Sequence, residues 1–421
     1  MIKRPEEIVE IIKKIDKAGY DVCCAGQCVT SSILGESPLD WDLFTDCPQD
    51  KVREIFPEGE EIGSRTTRLD YTTFVKSEHV NVADHYDGVI ADIVTLEGSL
   101  EEQLKIYDFT CEATAEHANG SAVDPFGGRE DIRKRLLKPV GDIKEKMKKH
   151  PELIYKALRY VGLYGFDLSR DLYEAIVANR DRAQFVDKEE VLYEFTTAIT
   201  GSSAGKFLKM LKDMDLLETI IGPEGRSANP REKKDYAGLC EGIDKTKRIP
   251  LRRLGLFYLV FEKKYDKALN FLPHDEETLD FLGEAKHLCP KLYFCGNEEL
   301  LKNFIYKVGW EKYHFIDRLL KAQNIIYELD NHKQLGRDAI LGEIIRQNQP
   351  IFLEDLRIDA DDIIEAGITD DLERAQYLLE LLPTIVHKNA TKNDREQLLK
   401  FARAFHKSKI RAALRDISWL R

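Results

Sequence analysis

One stretch near the start, Gly26 to Thr45 (GQCVTSSILGESPLDWDLFT), limits what this chain can fold into more than any other. It spells a glycine turn, a short helix, a loop, and then a strand carrying two aspartates one residue apart. Alternate side chains of a strand share a face, so Asp40 and Asp42 project together while Trp41 and Leu43 turn into a core. Two carboxylates held that close repel by roughly 1–4 kcal/mol between water and a protein surface. A divalent cation relieves the repulsion, and hard oxygen ligands suit Mg²⁺, which completes its shell with water and substrate phosphates. The glycine turn leads into a helix whose first N–H groups are free and whose dipole end is positive, a ready phosphate cradle. Gly26 permits close approach there, and Ser31 and Ser32 add hydroxyls. A plain pair of surface aspartates explains the D-x-D alone, but not the turn and helix in front of it.

A second signal lies in Gly88–Leu96 (GVIADIVTL), an apolar, β-branched run that reads as a buried central strand. A lone carboxylate in such a strand is expensive unless it is paired or metal-bound. Asp92 is therefore the expected third carboxylate of a magnesium site formed with Asp40 and Asp42. Two-metal phosphoryl chemistry uses such a residue to position and activate the attacking hydroxyl.

These residues carry a resemblance to the bacterial tRNA nucleotidyltransferase (CCA-adding enzyme) and poly(A) polymerase family. Gly26–Gly35 with Asp40-Trp41-Asp42 follows its opening G-G-x-V-R-D-x-L-L-G and D-x-D frame. Asp108-Phe109-Thr110 sits where the family has R-R-D-F-T, and Asp124–Gly128 with Asp131 matches its D-P-F-G-G-x-x-D turn. Phe352–Ile368 and Val386–Leu399 are similar to the tail of the Gram-positive type. The resemblance implies an α+β chain with a small mixed-sheet, polymerase-β-like head over 1–142. An all-α neck (143–222), body (223–340) and RNA-binding tail (341–421) would follow. It implies catalytic and metal-binding roles for Asp40, Asp42 and Asp92, and nucleotide-binding roles for Gly26, Gln27, Ser31, Ser32, Asp108, Lys156 and Arg159. The implied cofactor is Mg²⁺, and the implied partners are an NTP (ATP, CTP or another) and the 3′ end of tRNA or another RNA.

The chain also departs from that pattern. The family arginine and aspartate of the first motif fall at Thr30 and Ser31, and its second glycine at Gln27. Ile106 and Tyr107 replace two cations, Glu97 replaces an arginine, and the neck's base-reading E-D-x-x-R falls on Lys149, His150 and Leu153. A charge-assisted contact to phosphate contributes roughly 1.5–3 kcal/mol, so three or four losses weigh heavily. Three readings stay open: transfer of a nucleotide to an RNA 3′ end, transfer of another nucleotide or to another acceptor, and a catalytically weak tRNA-binding relative.

The remaining features set bounds. At 421 residues the chain is long enough for two to four structural units. No apolar run approaches a membrane span and the start has no signal-peptide core, so no membrane contact and a cytoplasmic location are expected. The 8 cysteines lack paired zinc spacing and read as reduced, mostly buried thiols. A net charge of −12 argues against indiscriminate nucleic-acid binding. It leaves three local basic runs as RNA-contact candidates, Arg129–Lys149, Lys245–Arg253 and His406–Arg415. Periodicity predicts helices over Pro5–Lys17, Pro48–Phe56 and, after Lys144, nearly everywhere, with a boundary at Gly222–Pro230. It predicts one helix over Lys245–Leu272 and a hairpin over Ile62–Lys76. Tyr155, Tyr160, Tyr164 and Phe166 read as neck core, and the aspartates at 355, 359, 361 and 362 as caps and surface charge.

Overall fold

The computed structural model describes residues 2–407 apart from 39, 65, 71–72, 78–79 and 224–229, and gives only the backbone of 73–77, 80–87, 230, 233 and 262. The Gly222–Pro230 boundary and all but the start of the His406–Arg415 run lie outside the described residues. The chain is α+β and divides into two compact units, 1–283 with 325–327, and 284–324 with 328–421.

The first unit opens on α1 (Glu6–Lys17), whose Ile8, Ile11, Ile12 and Ile15 recur at helical spacing and are buried. Strand β1 (Val22–Ala25) runs into α2 (Gln27–Leu34), and β2 (Asp40–Thr45) into α3 (Gln49–Ile55). Then come β3 (Glu60–Gly63), β4 (Thr66–Asp70), β5 (Thr73–Ser77), β6 (Val80–Asp87) and β7 (Ile90–Thr95). After α4 (Leu100–Leu104) the strands β8 (Ala115–His117) and β9 (Ala122–Val123) complete a seven-stranded sheet of order β3-β4-β7-β2-β1-β8-β9. Its pairs are antiparallel except β2 with β7, whose register sets Asp42 opposite Asp92. The expected single hairpin over 62–76 is instead two ladders, β3 with β4 and β5 with β6, because β4 spends its other edge on β7.

Alternation along β2 and β7 sorts the two faces. Trp41, Leu43, Ala91 and Ile93 join the α1 isoleucines in one core. Phe44 packs with Cys23, Ala25, Leu104 and Ala115 on the other side, the side to which Asp40 and Asp42 belong. Asp124 accepts hydrogen bonds from the Gly128 and Arg129 backbone N–H groups at 2.7 and 3.0 Å, fixing the start of α5 (Gly128–Lys134).

Helices then take over: α6 (Ile143–Lys149), α7 (Leu153–Tyr164), α8 (Arg170–Asn179), α9 (Lys188–Ile199) and α10 (Ala204–Asp213). Helices α7 and α9 cross at Gly162, where a Cβ would stand 2.5 Å from the Ala198 carbonyl oxygen, so only glycine permits the approach. Tyr155, Tyr160, Tyr164 and Phe166 are buried, with Tyr160, Tyr164 and Phe166 in mutual ring contact.

The single helix expected over Lys245–Leu272 is broken into a turn at Ile243–Lys245 and helices Pro250–Leu259 and Tyr265–Leu269. Pro250 sits at a helix start, where its missing N–H costs nothing. Arg253 needs the carbonyls just before that start. It is 1% exposed and donates to the backbone oxygens of Ile199, Gly201, Ile243 and Thr246 at 2.7–3.3 Å. This member of the second basic run is therefore a structural clamp.

In the second unit, Glu298–Ile326 is helical across a break at Gly309. A separate core gathers Ile358, Ile363, Leu378, Leu382, Val386 and Leu398. Asp359 caps the helix Ala360–Glu365 in a reciprocal pair with Asp362, and Asp371 caps Leu372–Leu381. No described helix is long and apolar enough to cross a membrane. All eight cysteines are free, and seven of them are buried.

Candidate active site

Strand register builds the site. Ala25 pairs with Asp42, so the chain reverses at Gly26 beside that carboxylate. Gly26 has φ 77°, and a Cβ there would lie 2.8 Å from Asp42 Oδ2 and 2.9 Å from the Tyr107 hydroxyl. Both facts demand glycine. Across the sheet, Asp42 on β2, Asp92 on β7 and Arg68 on β4 occupy one row, because Asp92 pairs with both of the others. Asp40 lies two residues before Asp42 on the same face. The three aspartates expected to act together do share this face.

Arg68 escaped the sequence reading. Its Nε and Nη2 donate to the two carboxylate oxygens of Asp92 at 2.8 and 2.7 Å. The clue lay in the alternation Thr66-Thr67-Arg68-Leu69-Asp70, but nothing local says which strand a guanidinium will face.

The charges respond to this crowding. Burial, reinforced by Asp92, Asp40 and Glu112, pushes the Asp42 carboxyl up to about 7. Burial and then Asp92 raise Asp40 as well. Asp42 thus binds its proton more tightly folded than unfolded. The stability it contributes is fully present below the ordinary value of 3.8 and is lost as pH climbs through about 7. The melting temperature of the protein in EDTA should fall between pH 5 and pH 8, and fall less in Asp42→Asn; scanning fluorimetry across that range checks it.

Among the described residues no three acidic, imidazole or thiol groups stand close enough to cage an ion. Magnesium needs no such cage, since one or two carboxylates with water and phosphate oxygens suffice. Asp40 and Asp42 meet that requirement, and the unrelieved repulsion on Asp42 is what a cation would cancel.

On the helical side, the expected nucleotide-binding residues are tied to one another. Lys156 on α7 donates to Asp108 at 2.6 Å and to Glu112 at 3.1 Å, while Lys146 also pairs with Asp108. Burial opposes the Lys156 charge, but Glu112 and Asp108 outweigh it and hold the ammonium protonated. Glu112 also accepts from the Tyr160 hydroxyl at 2.8 Å. Arg159 donates to Gln27 Oε1 at 2.9 Å and lies 2.6 Å from the Glu194 carboxylate. Gln27 in turn donates to the Tyr164 hydroxyl, which lies 2.6 Å from Ser31 Oγ.

Ser31, expected as a phosphate donor, is 3% exposed and joins α2 to α7 through Tyr164. The Ser32 hydroxyl is buried with no hydrogen-bond partner. Thr30, at the family arginine's position, donates to the Cys111 carbonyl. Of the positions aligned with the base-reading motif, Leu153 is buried and His150 is exposed beside Glu152. The sequence gave no sign of Glu112 or Glu194 as partners, since each is joined to α7 only by folding. The Arg129–Lys149 run is likewise largely neutralised, by Glu116, Glu130, Asp131, Glu145 and Asp108.

A mixed sheet with a glycine turn and carboxylates from neighbouring strands defines a head of the nucleotidyltransferase type. Residues 22–138 match the family model described as the poly A polymerase head domain. Through this head the chain is a relative of the tRNA nucleotidyltransferases. The CCA-adding enzyme of Geobacillus thermodenitrificans is 31% identical over 226 residues, 52% of this chain and 55% of that protein. The enzyme of Geobacillus stearothermophilus is 30% identical over 235 residues, 55% and 58% of the two chains. The matches thus span about half the length of these curated relatives. The fold is similar to the crystal structure of the Bacillus stearothermophilus CCA-adding enzyme in complex with CTP, with a TM-score of 0.74 at 21% identity over 96% of this chain and 98% of that one. The Thermotoga maritima CCA-adding enzyme complexed with tRNA gives 0.60 at 15% identity over 96% of each.

Proposed function

We propose that the chain is a magnesium-dependent nucleotidyltransferase that transfers a nucleotide from an NTP to the 3′ end of an RNA in the cytoplasm, most simply a tRNA. The observation that carries the reading is the β2–β7 register, which sets Asp42 beside Asp92, with Asp40 on the same face and the Gly26 turn next to Asp42. Residues 1–142 are the transfer head, 143–222 the neck on the nucleotide side, 223–340 the body and 341–421 the RNA-binding tail.

In this reading Asp40 and Asp42 hold magnesium, which when bound supplies positive charge to the phosphates during in-line displacement. Asp92 is the third carboxylate of the row and orients the attacking hydroxyl. The free N–H groups at the start of α2 receive phosphate oxygens. Gln27, Ser31, Ser32, Asp108, Lys156 and Arg159 border the nucleotide, with Lys156 and Arg159 supplying its remaining cations. Catalysis rests on positioning more than on any side-chain proton transfer.

The test is incubation with Mg²⁺, each labelled NTP in turn, and a tRNA lacking its terminal CCA. Label should enter the RNA 3′ end from at least one NTP and vanish with EDTA. Retained tRNA binding with no incorporation from any NTP would leave a binding protein in place of an enzyme.

A second reading, another nucleotide or another acceptor, is favoured by one specific feature. Tyr107 rests against the Gly26 turn where the family places a cation, and Lys156 and Arg159 already face carboxylates. The same assay separates it, because label then appears in protein or a small product. Glu112→Gln should release Lys156 for phosphate and lower KM for the NTP several-fold, which steady-state kinetics will show.

A further inference from the structure

Two-metal sites use the third carboxylate to reach a second ion. Here both oxygens of Asp92 already accept from Arg68, in the fork geometry that makes guanidinium–carboxylate pairs the strongest of their kind. The pairing is built into the sheet, since Arg68 and Asp92 are register partners on adjacent strands and Asp92 is also the partner of Asp42. The Asp92 side chain is 19% exposed and that of Arg68 39%, so the pair sits at the mouth of the row, on the side from which an ion would enter. An ion bridging to Asp92 would have to displace the guanidinium or stand beside it, and like charges a few ångströms apart in a half-buried site repel strongly. Asp40 and Asp42 carry no such partner in the row.

We infer that Arg68 occupies the place of a second ion, so that this chain binds one divalent cation, on Asp40 and Asp42, with Asp92 reserved for the guanidinium. Arg68 is then a positioning residue: it fixes Asp92 and sets the metal stoichiometry without touching substrate. The inference rests on the functional reading above for the identity of the first site, and departs from it in the number of ions.

Manganese titration followed by electron paramagnetic resonance, on the full chain without nucleotide, counts the ions directly. Wild type should take up one equivalent of Mn²⁺. Arg68→Met, which keeps the stem and removes the charge, should take up a second, or bind manganese at least about tenfold tighter. Arg68→Lys, which keeps the charge on a single point, should stay at one. Two equivalents in wild type, or an unchanged count and affinity in Arg68→Met, overturn the inference. A second equivalent in Arg68→Lys overturns it too, because charge would then not be the cause. Should Arg68→Met fail to fold by circular dichroism, the wild-type count and the lysine variant still decide. Asp42→Asn separates the two levels of the argument. If it retains the wild-type equivalent, or wild type binds none, the functional reading itself fails.

Discussion

Asp42→Asn will lower nucleotide transfer by about 10³-fold or more while raising the melting temperature of the metal-free protein at pH 8. The activity loss follows from geometry. Asp42 is the one carboxylate that touches every part of the site: its pair on β1 is Ala25, its pair on β7 is Asp92, and its Oδ2 lies against the Gly26 turn. Losing a charged metal ligand forfeits several kcal/mol of charge stabilisation, and about 4 kcal/mol is a thousandfold in rate. The stability gain follows from the same crowding, because burial and the neighbouring carboxylates act against the charged form of Asp42. An amide removes that repulsion at nearly constant volume. Rate measured with labelled NTP and melting measured in EDTA should therefore move in opposite directions. A variant that loses both would mean that Asp42 is a structural residue.

Arg253→Met will unfold much of the first unit. No carboxylate hydrogen-bonds to this guanidinium; it is held by four backbone carbonyls from three separate stretches of chain. Burial lowers its pKa to about 10, which still leaves it charged near neutrality. Methionine fills the stem's space but strands four acceptors in the core, each costing about 1–3 kcal/mol where water cannot reach. Even partial relaxation leaves a loss of about 3–5 kcal/mol, against a total stability of about 5–15 kcal/mol for ordinary domains. Arg253→Lys should recover only part of it, since an ammonium cannot span the fork. Soluble yield and limited proteolysis of the three proteins will rank them wild type, lysine, methionine.

Where the sequence was readable, the cause was local. The Gly26 turn, the short helix and the alternation of Asp40-Trp41-Asp42-Leu43 depend on residues within two turns of one another, and β2 needs only its period of two to sort its faces. Asp92 was legible because a carboxylate inside an apolar strand has few places to be. What failed to show was pairing at a distance. Arg68 meets Asp92 across 24 positions, and Lys156 meets Glu112 across 44. Composition gives no hint that the helical cations are already matched to acids. The continuous helix expected over Lys245–Leu272 failed for a different reason. Pro250 reads equally well as a helix interruption or a helix start, and only the buried Arg253, drawing on the Ile243 and Thr246 carbonyls, decides between them.

The chain Arg159–Gln27–Tyr164–Ser31 runs from one helix of the neck to the first helix of the head and back. A nucleotide that recruits Arg159 must take it from Gln27 and Glu194, so binding is an exchange of partners and adds few new bonds. Such a swap yields little net heat and frees Gln27 to turn elsewhere. Occupancy of the nucleotide side would then register at the phosphate turn as a loosening of α2 against α7, a way for one end of the substrate to report its arrival to the other.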